Sequence, residues 1–188
     1  MSTPEKAAAA PDQARLLRDV LGLFPTGVAV ITALTGDGER LGATVSSFNS
    51  VSLTPPLILF SMARNAKSFP AWEVAEHFGV NILSESQSRI STQFARPMSD
   101  KWEGLDPVSG RITGAPLIRD ALAWLECKTW ARYPGGDHLI IVGEVLGFER
   151  LSSAQGRPLV FSASRYARLA QENEIPTPPQ EGYLVHGW

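Results

Sequence analysis

The chain has 188 residues, 44% of them hydrophobic and 19% charged, with a net charge of -2 and a pI near 5.9. That length suits one domain with a real core, and the balance argues against a nucleic-acid binder, which shows a basic face. Cys127 is the single cysteine, and His77, His138 and His186 lack metal-ligand spacing, so neither an intramolecular disulfide nor a metal site is expected. No apolar run reaches the roughly 18 residues of a membrane helix, and Pro11-Asp12 breaks the alanine-rich start before a signal-peptide core can form. The expectation is a cytoplasmic protein with no membrane or nucleic-acid partner.

Residues 1–10 read as a disordered tail, 11–170 as one domain, and 171–188, rich in proline and ending in aromatics, as an extended arm. Asp12–Leu21 has helical spacing, with Leu16, Leu17, Val20 and Leu21 on one face and Gly22 to end it. Gly27–Thr35 is a β-branched strand, Gly36–Glu39 a turn, and the chain returns in a hairpin. Leu57–Ser61 is a buried strand, and a helix is expected over Phe69–His77 with Ser68 as N-cap. Phe78–Leu83 alternates as a strand, and Ser84 with Gln87 forms a capping box for a helix to Arg96. Val108–Thr113 is weakly strand-like. Ala121–Arg132 and His138–Arg150 make the strongest hairpin, turning through Tyr133–Asp137, with Cys127 among its apolar positions as a core residue. Pro158–Phe161 is a last short strand.

The stretch from Gly42 to Pro56 stands apart. It reads as a strand with small or hydroxylated residues on both faces: Ala43, Val45 and Ser47 on one, Thr44, Ser46 and Phe48 on the other. Such a strand either faces water at a sheet edge or lets a flat ligand approach its backbone. After the next strand, Ser61, Arg64, Lys67 and Ser68 gather two hydroxyls and two cations before a helix, which suits a phosphate; solvated loop charges are the alternative. No Gly-x-Gly-x-x-Gly fingerprint and no Gly-x-Ser-x-Gly elbow is present, which speaks against a Rossmann dehydrogenase and an α/β hydrolase.

The run Thr44-Val45-Ser46-Ser47-Phe48-Asn49-Ser50-Val51-Ser52-Leu53-Thr54-Pro55-Pro56-Leu57, the hydroxyl and basic loop, Gly135-Gly136-Asp137-His138 and Gly143-Glu144-Val145 together resemble the flavin reductase family. These are the reductase components of two-component monooxygenases. The resemblance spans about Phe24 to Leu169. It implies a mainly β fold with helices, an antiparallel Greek-key split β-barrel of the FMN-binding type, in agreement with the many short strands read above. It further implies a homodimer that transfers hydride from NADH or NADPH to FMN or FAD and feeds reduced flavin to a partner monooxygenase. The flavin ring is expected along Ala43, Thr44, Val45, Ser46 and Ser47, its phosphate at Ser61, Arg64, Lys67 and Ser68, and His138 near the nicotinamide. No acid or base is required, because stacked rings exchange the hydride directly. The resemblance also puts Phe94 and Tyr166 near the ligand, and makes Asp100-Lys101-Trp102 part of a loop that helps close the flavin site. From the residues alone Phe94 could equally be a helix-end core residue, and His138 a structural one. Ser164 stands where the family usually has glycine, which weakens the carry-over at Tyr166. The alternatives are a non-catalytic flavin carrier or sensor and an oxidase of the pyridoxamine-phosphate type.

Overall fold

The computed structural model describes residues 11–97, 100–151 and 156–170; the expected tail, 1–10, and arm, 171–188, lie outside the described residues. Helix α1 (Pro11–Leu21) precedes β1 (Thr26–Gly27), β2 (Ala29–Leu34), β3 (Arg40–Val45), β4 (Asn49–Leu53) and β5 (Pro56–Ala63). Helix α2 (Phe69–Val74), β6 (His77–Ile82) and α3 (Ser88–Ala95) follow, then the short β7 (Val108–Ser109) and β8 (Pro116–Leu117). The long pair β9 (Ala123–Gly135) and β10 (His138–Arg150) comes next, and β11 (Val160–Ser162) and β12 (Arg165–Ala167) end the described chain. The main sheet has seven strands in the order β3-β2-β6-β9-β10-β5-β4, all antiparallel, and β1-β11-β12 form a smaller sheet. The main sheet curls into the antiparallel split barrel, mostly β with helices outside.

Strand β2 shows why the sheet curls around one core and carries another on its back. Ala29, Ile31 and Ala33 enter the barrel interior with Phe60, Trp72, Phe78 and Ile141. Val28 and Val30 face outward into a second cluster with Leu83, Phe94, Trp102, Ile118 and Leu159. Both faces of this strand are therefore covered, as apolar residues on each of them require. Asn81 of β6 is fully buried in the outer layer and fully bonded there: it donates to Val30 O and Thr32 Oγ1, and accepts the Ile118 N–H at 2.7 Å.

Several sequence boundaries move, each for a local reason. The strand expected over Gly27–Thr35 breaks at Val28, whose backbone turns to Leu159 and Leu83. The strand expected to run from Gly42 bends at Ser46–Phe48 and becomes β3 and β4. The helix from Phe69 stops at Val74 because Ala75 is extended, with its carbonyl taken by the Thr129 hydroxyl and Arg132. The capping box of Ser84 and Gln87 is present and opens a 3-10 turn that runs into α3. β9 continues through Tyr133–Gly135, leaving only Gly136, at φ 74°, and Asp137 as the turn. β11 begins at Val160, Pro158 making only an isolated bridge to Ser84.

The weak strand over Val108–Thr113 survives only as far as Ser109, and Glu126 explains why. Its buried carboxylate accepts the N–H groups of Arg111, Ile112 and Thr113 and the Thr113 hydroxyl, at 2.7–3.0 Å, bending that segment into a loop. Burial pushes this carboxyl's pKa up, but the bonds from Thr113, Ile112 and Arg111 outweigh it and leave the pKa below the usual range. A depressed folded-state pKa contributes stability that is present above the unfolded value and lost as pH falls through the folded one. Glu126→Gln is expected to lower stability by about 2 kcal/mol at neutral pH, and to remove part of the acid-dependent loss. Denaturant melts of both proteins at pH 7 and pH 4 check this; a variant as stable as the parent at pH 7 would contradict it.

Candidate functional site

The site is built where the sheet begins and ends. β3 is an edge strand bonded only to β2, and β4 is the opposite edge, bonded only to β5. The residues Ser46–Phe48 join them. The Ser47 Oγ pins this bend to β5, accepting the Ser61 N–H at 3.0 Å and donating to Ser61 O at 3.4 Å. Thr44 reaches the other way, its hydroxyl donating to Ser91 O in α3 at 2.6 Å. Val45 is buried and Ala43 packs against the barrel core, while Ser46 is exposed. Gly42 C=O accepts the Lys101 ammonium at 3.0 Å, so it points away from β2. Strand alternation turns the backbone groups of Thr44 to the same open edge. The corner thus offers small side chains, an exposed hydroxyl and unpaired strand edge.

The end of β5 lies directly beside the bend. His138 pairs with Ala63 in the sheet register, and the Arg64 N–H donates to Asp137 O at 2.9 Å. The His138 Nδ1–H donates to the Asp137 carboxylate at 2.8 Å, which aims Nε2 elsewhere. Arg64 is exposed, 4.0 Å from Glu73 and 5.4 Å above the Phe69 ring. Lys67 is exposed as well. Ser68 occupies the N-cap position of α2, yet its side chain makes no capping bond. It lines a cleft of about 460 Å³ with Gly38–Gly42 and Asp100–Trp102. With α2 only six residues long, the hydroxyls and cations of this loop, rather than a helix end, are what could meet a phosphate.

Two expected site residues stand behind this corner. Phe94 is 1% exposed and belongs to the outer core, edge-on to Trp102 at 4.9 Å, which is the core-residue alternative of the sequence. Its ring fills the space under Gly42: a Cβ there would lie 2.2 Å from it. Tyr166 shares a 2.8 Å hydrogen bond with the Ser91 hydroxyl, so Thr44, Ser91 and Tyr166 form one chain of contacts. The structure therefore gathers Ser47, Ser61, Arg64 and His138 at one end of the corner, Ser68 in the cleft, and Thr44 with Tyr166 against α3. Lys101 was not singled out by sequence reasoning. Its ammonium donates to Gly42 O and to Phe94 O at 2.8 Å, tying β3, α3 and the Asp100–Trp102 loop together. Its sequence signal is the resemblance, which makes the Asp100-Lys101-Trp102 loop one that helps close the flavin site. Burial lowers its pKa.

These groups fit a flat ligand carrying an anionic tail: small residues at an open edge, then hydroxyls and cations within one loop. The family profile described as the flavin reductase like domain matches residues 21–170. The chain belongs to the flavin reductase family. It is 40% identical over 163 residues to the FMN reductase (NADH) SmoA of Agrobacterium fabrum, covering 86% of this chain and 89% of that protein. It is 35% identical to the flavin-dependent monooxygenase reductase subunit HsaB of Mycobacterium tuberculosis, over 86% of both. The NADH:FAD oxidoreductase SgcE6 of Streptomyces globisporus, solved with NAD and FAD fragments, superposes with a TM-score of 0.80 at 36% identity, covering 90% of this chain and all of that one. A probable flavin reductase of Rhizobium meliloti is 43% identical over 72% of this chain, which spans only 43% of that protein's length.

The seat of Phe94 beneath Gly42 is testable. Gly42→Ala is expected to cost about 2 kcal/mol by overpacking, read as a lowered denaturation midpoint, and to weaken flavin binding by displacing β3. A variant with the parent's midpoint would mean the ring does not rest on this glycine.

Proposed function

We propose that the chain is an NADH-dependent flavin reductase that transfers hydride to FMN or FAD and supplies reduced flavin to a separate monooxygenase. The observation that carries this is the corner itself: an open strand edge of small residues continuous with the hydroxyl and cation loop, with His138 on the adjoining strand end. Support for the chemistry comes from the similarity to SmoA and SgcE6, and for the oxygenase partner from the similarity to HsaB. Flavin, when bound, supplies the hydride-accepting ring. The protein's work is placement. Ala43, Thr44, Val45, Ser46 and Ser47 seat the ring, with the backbone of the open edge and the Ser46 hydroxyl able to donate to its polar rim. Ser61, Arg64, Lys67 and Ser68 hold the phosphate. Asp137 fixes the ring of His138, which orients the nicotinamide. Phe94 supports β3 from beneath, and Tyr166 steadies Thr44 through Ser91.

We further propose a cytoplasmic homodimer. On α1, Leu16, Leu17, Val20 and Leu21 are each about 60% exposed, and Leu23 and Phe24 extend the same apolar surface. A contiguous exposed patch of this kind is what a second copy would cover.

The direct test follows NADH absorbance in air with no flavin, FMN or FAD. Catalytic loss that depends on added flavin is expected. Tight flavin binding without turnover would instead make the protein a carrier. In the same assay Arg64→Ala is expected to weaken FMN binding about fivefold, as an exposed charge contact would. His138→Ala is expected to raise the KM for NADH more than it weakens flavin binding. The reverse pattern would place His138 on the flavin side.

A further inference from the structure

The outer face of α3 carries a cleft that the proposed reaction leaves unused. Arg89, Thr92 and Arg96 recur at helical spacing, so they share that face and its C-terminal end. With Glu103 of the following loop and Tyr166 of β12 they line a cleft of about 510 Å³. Such a volume suits a small molecule.

The lining is cationic and flat. Arg89 and Arg96 are exposed, and among the described residues neither guanidinium makes an ion pair. The one acid on the wall, Glu103, is exposed, where solvent screens it. The cleft is thus locally positive in a chain whose net charge is -2. Tyr166 supplies the flat wall. Phe161 holds its ring edge-on at 5.7 Å and Ser91 holds its hydroxyl at 2.8 Å, while 41% of the residue stays exposed. Its orientation is therefore fixed before any ligand arrives, which favours stacking. The opposite wall is fixed too, because the Gln93 amide donates to Lys101 O and Glu103 O. Guanidinium groups take a carboxylate through paired hydrogen bonds, and the adjoining phenol ring takes another ring.

We propose that this cleft binds a small aromatic carboxylate, its carboxylate held by Arg89 and Arg96 and its ring on Tyr166, and that occupancy tightens flavin binding at the corner. The link is the chain of hydrogen bonds from Tyr166 to the Ser91 hydroxyl and from Ser91 O to Thr44. A ligand that restrains Tyr166 also restrains what holds Thr44, so flavin has less motion left to suppress when it binds. The effect is reciprocal by linkage. The link rests on the flavin reductase reading, whereas the cleft itself does not.

Isothermal titration calorimetry with benzoate as the probe tests the proposal, with benzamide as the ligand lacking the charge and acetate as the one lacking the ring. Benzoate is expected to bind roughly tenfold more tightly than either. Arg89→Met and Arg96→Met, which break no ion pair of the described residues, are each expected to weaken it about fivefold. Saturating benzoate is expected to tighten FMN binding about threefold, and saturating FMN to tighten benzoate by the same factor. Tyr166→Phe keeps the ring but loses the bond to Ser91, so it is expected to retain benzoate and abolish the linkage. Benzoate binding that is absent, or unchanged in both arginine variants, overturns the site. Binding that leaves FMN affinity unchanged in the parent overturns the link. Adenosine monophosphate bound in place of benzoate, and lost in the arginine variants, would assign the cleft to a nucleotide and overturn the proposal as well. A protein that binds benzoate but no flavin would sink the flavin reading, and the link with it, while the cleft stands.

Discussion

The proposed site depends on one constraint: the two edges of the main sheet are successive strands joined by three residues. A curled sheet whose edges β3 and β4 meet at Ser46–Phe48 cannot close its ladder there, because the chain must turn a corner. The Ser47 hydroxyl closes the gap in place of a backbone ladder, bonding both the N–H and the C=O of Ser61. Polar backbone is thus left beside the corner rather than consumed by pairing. An edge strand exposed in this way is a liability in most proteins, and here it is the proposed seat of the flavin.

The corner is held from behind by a compact apparatus. Phe94 lies against the Gly42 backbone, Trp102 lies against Phe94, and Lys101 caps the carbonyls of both Gly42 and Phe94. Side chains at Gly42 would expel Phe94, so glycine here is a packing requirement. Farther off, Asn81 and Glu126 fasten the loops after α3 to the sheet with buried, fully used hydrogen-bonding groups. Placement to this standard is what hydride transfer between two bound rings needs from its protein.

Much of this was legible in the sequence. Alternating apolar runs marked β2, β5, β6 and the β9–β10 hairpin, and the Ser84–Gln87 box marked the start of the α3 segment. The small-residue run beginning at Gly42 identified the corner. What periodicity could not show was that the run bends, since a Ser-Ser-Phe step alternates as well in one strand as in two. The grip of Glu126 was not legible either, because a carboxylate holding the N–H groups of a loop 13 to 15 residues back leaves no local pattern. β8 and β12 are too short for periodicity to register. The turn before β12 holds Ala163 and Ser164 at φ 47° and 61°. That explains the glycine the family usually has at Ser164: the left-handed region favours it. The site was read as a set of residues, but its Lys101 cation, its Thr44–Ser91–Tyr166 chain and the burial of Phe94 are properties of packing between distant segments.

Flavin binding at the corner where the sheet's edges meet is the proposal on which the rest stands. Amide hydrogen exchange with and without FMN addresses it most directly, because it locates binding without relying on turnover. FMN is expected to slow exchange in residues 42–48 and 61–68 and to leave the exposed face of α3 and the 108–115 loop unchanged. Protection confined to those other segments, with 42–48 unaffected, would contradict it.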